Sequence, residues 1–104
     1  MLMKLLPKPI KFEWNKGNIN KNLIKHKIKN EEAEEIFVNQ PIVWLKDEKH
    51  SSQEARQMVL GKTDKRKLLS VIYTIRYTIR KNQVRIISAR IMSRKERRLY
   101  EQKT

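Results

Sequence analysis

The segment LLSVIYTIRYTI at residues 68–79 alternates between apolar and polar side chains. Successive side chains of a β-strand point to opposite faces, so this period of two predicts a strand with one buried face. The apolar row consists of Leu69, Val71, Tyr73, Ile75, Tyr77 and Ile79, and the other row is dominated by Ser70, Thr74, Arg76, Thr78 and Arg80. The chain is therefore expected to contain a sheet with one core face and one face that displays Arg76.

Further strands are expected where β-branched and aromatic residues stand between polar turn segments. These segments are KFEW at 11–14, IVWLK at 42–46, RQMVLGK at 56–62 and VRIISARI at 84–91. The short polar stretch RKNQ before the last of them suits a hairpin, which joins antiparallel strands. Ser88 and Arg90 share one side of that last strand, so arginines can gather on one side of the sheet.

Two helices are predicted before the sheet. Asn15 is placed to cap a helix that runs to about Lys27, with Ile19 and Leu23 four residues apart on its buried side. Asn30 is placed to cap a shorter helix, because two glutamates then fall in its first turn, where the helix dipole favours anions. The buried side of this second helix is expected to hold Ala33, Ile36 and Phe37, and Pro41 ends it.

The stretch SARIMSRKERRLYEQ at 88–102 is expected to end in a third helix. Ser93 and Glu96 have the spacing of a capping box, in which each side chain accepts a hydrogen bond from the other residue's backbone N–H. So short a helix needs tertiary packing, which Met92, Leu99 and Tyr100 can supply on the sheet. The fold class predicted is α+β: a small antiparallel sheet with two N-terminal helices and one C-terminal helix.

The length of 104 residues suits a single domain over 1–104. Residues 1–10, interrupted by Pro7 and Pro9, are expected to form a flexible lead-in and not a signal peptide. No apolar run reaches the ~20 residues that cross a bilayer, so no membrane partner is expected. The chain has no cysteine, which excludes disulfides, thiol catalysis and cysteine metal sites and is compatible with a cytoplasmic location.

The net charge is +14, from 25 Lys and Arg against 11 Asp and Glu. Residues 80–104 alone hold nine Lys and Arg against two Glu. So large an excess points to a polyanion or an acidic protein as partner. Its concentration near the C-terminus favours nucleic acid over a surface that is merely solubilising.

Several motifs, in this order and spacing, resemble BrnT-type toxins, a branch of the RelE/ParE-like superfamily. They are FEW at 12–14, Asn22 with Lys25-His26, EEAEEIF at 31–37, Arg56 with Gly61, YTIR at 73–76, and RIISAR with KERRLYE across 85–101. The resemblance implies a RelE-like fold and ribonuclease activity in a type II toxin–antitoxin system. The chain departs from the family pattern at Asn15 and Asn18, where an aspartate and a lysine are usual.

The chemistry implied by the resemblance is metal-independent and cofactor-free: the ribose 2′-OH attacks the adjacent phosphate of an RNA substrate. The reaction needs a base, an acid for the leaving 5′-oxygen and positive groups for the developing charge. The candidates for proton transfer are His26, Glu96 and Tyr100, and those for the phosphate are Arg76, Arg90, Arg94 and Arg97, with Lys25 also expected to bind RNA. Arg76, Arg90 and Glu96 are expected to work together in one cleft.

Several of these residues have other possible roles. His26 could hydrogen-bond Asn22 across one helical turn, Glu96 could serve only the capping box, and Tyr100 could serve only packing. Arg94 and Tyr100 are supported by analogy with RelE-type toxins. Trp14 and Trp44 are expected in the core.

The resemblance also implies partners. The expected antitoxin is BrnA, which carries a ribbon-helix-helix domain, in a complex of two toxins and two antitoxins that contacts operator DNA through the antitoxin. Two other functions remain open: a ParE-like toxin that poisons a protein target such as gyrase, and a non-catalytic RNA-binding protein.

Overall fold

The structure is a computed structural model that describes residues 10–46, 56–77 and 82–104. Within these ranges the elements are α1 (Lys21–His26), α2 (Asn30–Glu35), β1 (Val43–Lys46), β2 (Gln57–Lys62), β3 (Leu68–Tyr77), β4 (Asn82–Ile91) and α3 (Arg94–Lys103). The strands form one antiparallel sheet in the order β1-β2-β3-β4. The α+β class, with two N-terminal helices and one C-terminal helix, is confirmed. The predicted lead-in, apart from Ile10, and residues 78–79 at the end of the strand predicted over 68–79 lie outside the described residues.

The main core lies on the inner face of the sheet, which is covered by α2 and the segments beside it. Leu69, Val71 and Tyr73 of β3 are buried there, as the alternation predicts, and pack with Ile36 and Phe37. Trp14 and Trp44 pack against this core as expected, and Trp14 Nε1 donates to Glu34 Oε2 over 2.6 Å. Gly61 lets α2 approach β2, because a Cβ there would lie 3.1 Å from the Ile36 carbonyl oxygen.

The outer face of the sheet carries α3. Met92 and Tyr100 are buried against Val43 and Leu60, with Leu99 beside them, so the predicted packing of this helix is confirmed. The capping box is also confirmed: Glu96 N donates to Ser93 Oγ over 3.1 Å, and Ser93 N donates to Glu96 Oε1 over 2.8 Å. The helix covers the β1–β2 side of the outer face, since its core partners come from those strands. No helix in the described parts of the chain is long and apolar enough to cross a bilayer.

The first helix differs from its prediction. It spans only Lys21–His26, because Asn20 and Lys27 at its two ends adopt left-handed backbone conformations with φ of 58°. The predicted burial of Ile19 and Leu23 is wrong, since they are 46% and 42% exposed. Asn18 and Asn22 are buried in their place and turn toward the edge of β4.

The reason is the hydrogen-bonding demand of that edge. β4 is an outer strand of the sheet, and its free edge presents backbone groups that need partners. Asn18 Nδ2 donates to Ile86 O over 3.1 Å, and Asn22 Oδ1 accepts from Ala89 N over 3.0 Å. Leucine or isoleucine could not make these bonds, so the asparagines occupy the buried side.

Two smaller predictions are also corrected. The 11–14 segment makes one parallel bridge, Phe12 to Val84, and does not form a full strand. The cap position of α2 is Lys29 and not Asn30, and Glu32 Oε1 accepts from the Lys29 backbone N–H over 2.9 Å.

Candidate nucleic-acid interface

A bulge in β4 decides which arginines share the outer face of the sheet. The register places Ser88 opposite Ile72 and Ile86 opposite Tyr73, which leaves Ile87 as the extra residue. Directly paired residues point to the same face, so Arg90 shares the face of Ser70, and Arg85 shares the face of Thr74. We call the surface formed by Arg76, Arg85 and Arg90 the arginine face.

Arg90 is bound by Glu96 through both nitrogens of its guanidinium end. Nη1 lies 2.7 Å from Oε1 and Nη2 lies 2.8 Å from Oε2. The Ser70 hydroxyl donates to Oε2 over 3.4 Å, so the carboxylate also contacts β3. Burial alone would raise the pKa of Glu96, but hydrogen bonds from Arg90 and Ser93 outweigh burial and lower it. Glu96 is therefore ionised at neutral pH, and its hydrogen bond raises the pKa of Arg90.

Glu13 holds the other two arginines of this face. Its Oε1 lies 2.8 Å from Arg85 Nη1 and 3.6 Å from Arg76 Nε. Arg76 lies six residues along β3 from Ser70, the partner of Arg90, so the backbones at Arg76 and Arg90 are roughly 20 Å apart. One phosphate cannot contact both, and the structure thus brings Arg90 and Glu96 together while it places Arg76 with Glu13 and Arg85.

A shallow pocket of about 200 Å³ opens beside the bulge. Three of its lining residues are cationic, and the whole set is Gly17, Asn18, Lys21, Arg56, Arg85, Ile86 and Ile87. Lys21 Nζ lies 3.5 Å from the carbonyl oxygen of Ile87, the bulge residue. The pocket therefore lies between the turn before α1 and Arg85, the middle residue of the arginine face.

His26 and Lys25 lie at the end of α1. The contacts of Asn18 with Ile86 and of Asn22 with Ala89 show that this segment runs alongside β4 in the same direction. His26, one turn or about 6 Å beyond Asn22, therefore lies toward the end of β4 that holds Arg90. His26 is half-buried, and its side chain makes no hydrogen bond to the side chain of Asn22, whose amide oxygen accepts from Ala89 and whose amide nitrogen has no partner.

Tyr100 is buried in the core under α3. Its hydroxyl donates to the Pro41 carbonyl oxygen over 2.7 Å, and burial raises the pKa of Tyr100. Arg94 and Arg97 are exposed in the first turn of the same helix, on either side of Glu96 in sequence. Among the described residues, no three His, Asp or Glu side chains are grouped as metal ligands would be.

Sequence reasoning missed Arg85, Arg56 and Glu13 as parts of this surface. Strict alternation in the last strand places Arg85 on the side of Ala89, which is core, and only the bulge reverses that assignment. A charged residue in an apparent core row was the available signal. Glu13 is 72 residues from Arg85, so nothing local in the sequence pairs them.

The family described as "Ribonuclease toxin, BrnT, of type II toxin-antitoxin system" matches residues 14–96, which include Glu96 and every residue of the arginine face. A search of curated proteins returned no match. The match covers most of the 104 residues, and the chain belongs to the BrnT family of ribonuclease toxins of type II toxin–antitoxin systems.

Proposed function

We propose that this toxin cleaves RNA without a metal, by attack of a ribose 2′-OH on the adjacent phosphate at Arg90. The observation that carries the proposal is the Arg90–Glu96 pair, a bidentate ion pair at the edge of a strongly cationic face. Glu96 fixes the orientation of the Arg90 guanidinium, and preorganised N–H donors directed at the charge that develops on the phosphate are a large contributor to catalysis.

The geometry of the pair leaves one edge of Arg90 for the substrate. Glu96 engages the end of the guanidinium, and Nη1 also donates to Ile91 O over 3.3 Å. The side edge, formed by Nε and the second hydrogen of Nη2, has no partner within the described residues. That edge matches two phosphate oxygens. Glu96 is then a positioning residue, which keeps Arg90 oriented.

His26 is our candidate for proton transfer, since histidine is the commonest general acid and base. It is half-buried at the end of α1, toward the end of β4 that holds Arg90. Tyr100 is assigned to packing, because its hydroxyl is enclosed and already donates to Pro41. Lys25, Arg94 and Arg97 are exposed and are proposed to contact flanking phosphates.

The central test combines expression in growing cells with assays of purified protein. The wild type should arrest growth with rapid loss of RNA, and the purified toxin should cleave RNA in the presence of EDTA. Arg90→Ala should reduce cleavage about 100- to 1,000-fold, the usual cost of losing one preorganised donor. Arg98→Ala, which removes an exposed arginine of α3, is the matched control and should cleave at the parent rate.

Three results would overturn parts of this proposal. An Arg90→Ala protein that folds and cleaves like the wild type rules out the catalytic role of Arg90. Growth arrest with DNA-damage signalling and intact RNA would indicate a protein target such as gyrase. A lack of arrest would indicate a non-catalytic RNA-binding protein.

Neutralisation is proposed to come from a BrnA-type antitoxin in the cytoplasm. A partner that covers the arginine face needs acidic and apolar residues, and the complex would contain two toxins and two antitoxins that bind operator DNA through the antitoxin. Co-expression with the neighbouring small open reading frame should restore growth and yield a stable complex with a mass of the two-plus-two assembly. Persistent toxicity without a complex would contradict occlusion by this antitoxin.

A further inference from the structure

We propose that the pocket beside the β4 bulge is a second phosphate subsite. It binds a phosphate of the RNA strand other than the one at the bond that is cut. Its central residue is Arg85, with Lys21 and Arg56 beside it. This inference rests on the proposed function only because the polyanion that the pocket binds is taken to be RNA.

Arg85 is held in place before any ligand arrives. Glu13 binds its Nη1 over 2.8 Å, and its side chain is only 15% exposed. Its Nη2 lies where a side chain at position 17 would be, 2.7 Å from the position of a Cβ built on Gly17. A guanidinium fixed on two sides loses little further conformational entropy when it binds an anion, and its rigid fork suits phosphate oxygens.

The charge around the pocket favours an anion. Lys21, Arg56 and Arg85 line it, and Arg76 Nε lies near the same Glu13 oxygen that Arg85 contacts. Among the described residues that line or border the pocket, Glu13 supplies the carboxylate, and its Oε1 already lies 2.8 Å from Arg85 Nη1 and 3.6 Å from Arg76 Nε. A negatively charged group at the pocket is therefore attracted by the larger cationic charge.

The subsite is separate from Arg90. Arg85 is paired with Thr74, and Arg90 with Ser70, which places their backbones four residues apart along β3, or roughly 13 Å. Different carboxylates hold the two guanidiniums, Glu13 for Arg85 and Glu96 for Arg90, so the two arginines suit different phosphates of one strand. The bulge at Ile87 makes this possible, because without it Arg85 would point into the core.

A purely structural role for Arg85, as a tie between β4 and Glu13, is the competing explanation. Gly17→Ala separates the two. The new Cβ must displace the guanidinium, but the atom it meets is the far end of a flexible side chain, so the backbone need not move. This variant keeps every charge and displaces the Arg85 guanidinium, and the side chain of Asn15, whose Oδ1 lies 3.2 Å from the new Cβ, must give by a few tenths of an ångström.

The experiment measures binding of 2′-deoxy oligonucleotides, which have no attacking hydroxyl and stay intact. A deoxy-trinucleotide and a deoxy-decanucleotide are titrated by fluorescence anisotropy against wild type, Arg85→Ala, Gly17→Ala and Arg98→Ala, with thermal melts to check folding. Arg85→Ala should weaken decanucleotide binding about 10- to 100-fold, as expected for charged hydrogen bonds, and leave trinucleotide binding nearly unchanged. Gly17→Ala should act in the same direction, and Arg98→Ala should bind like the wild type.

The subsite is ruled out if Arg85→Ala and Gly17→Ala both bind the decanucleotide like the wild type. It is also ruled out if Arg85→Ala weakens the binding of the trinucleotide and the decanucleotide by the same factor. That result would mean that the substitution acts on the fold or on the Arg90 site. The proposed ribonuclease mechanism fails separately, if the length effect is present but the wild type does not cut RNA.

Discussion

Glu96 accepts hydrogen bonds from Arg90, from the backbone N–H of Ser93 and from the Ser70 hydroxyl. One carboxylate therefore caps α3 and orients the guanidinium that we propose binds the scissile phosphate. The sequence left open whether Glu96 caps the helix or belongs to the catalytic site. It can do both, because a carboxylate has about four acceptor sites.

The acid stability of the protein should depend on Glu96. Its folded pKa is lowered from 4.5, so its contribution to the free energy of unfolding is full above about pH 4.5 and is lost as pH falls through the lowered pKa. Glu96→Gln should reduce stability at neutral pH and flatten the curve in that acid window. Urea midpoints against pH test this, and parallel curves for the two proteins would contradict it. Glu32, whose pKa is also lowered, contributes equally to both curves.

At the scale of elements, the α1 segment substitutes for a fifth strand beside β4. Main-chain contacts of Lys11 and Glu13 with Val84 start the pairing, and asparagine side chains continue it at Ile86 and Ala89. This arrangement closes an edge that could otherwise pair with another chain. It also places Gly17 and Lys21 over the bulge, where the pocket forms.

Asn18→Ala should destabilise the protein by about 1–3 kcal/mol, the usual cost of leaving buried polar groups without partners. The amide donates to Glu13 O over 2.8 Å and to Ile86 O over 3.1 Å, and Asn18 is 2% exposed. Urea denaturation measures the change. Asn82→Ala, at an exposed asparagine of β4, should leave the midpoint unchanged. Equal stability of the two variants would show that the edge contacts contribute nothing.

At the scale of the whole molecule, part of the net charge of +14 is concentrated on the outer face of the sheet. Glu13 and Glu96 each hold arginines on the outer face of the sheet, and exposed Arg94 and Arg97 extend the charge onto α3. The inner face meanwhile holds the main core. The arginine face and the main core thus lie on opposite faces of one sheet.

RNA affinity should accordingly fall steeply with salt. About five phosphate contacts on a single strand predict a slope of about −3.5 for the logarithm of the binding constant against the logarithm of salt concentration. Reversing the charge of Arg94 and Arg97 should weaken binding to all sequences alike, because phosphate contacts carry no base identity. A flat salt response would point to a protein target instead.

The sequence by itself determined the features that depend on neighbours in the chain. Alternation in the 68–77 strand assigns Leu69, Val71 and Tyr73 to the core, and the Ser93–Glu96 spacing specifies the cap. The motifs that resemble BrnT toxins likewise indicated the family that the profile match shows. Strand alternation and helix capping are local rules, so a sequence carries them directly.

Only the tertiary structure decided which arginines lie together. The bulge at Ile87 reverses the alternation of β4, and the contact of Glu13 with Arg85 joins residues 72 positions apart. The burial of Asn18 and Asn22 in place of Ile19 and Leu23 has the same origin, because it follows from the unpaired edge of a distant strand. Hydrogen-bond demand across the fold outweighs local apolar periodicity here, since an unsatisfied buried backbone group costs more than exposing part of an aliphatic side chain.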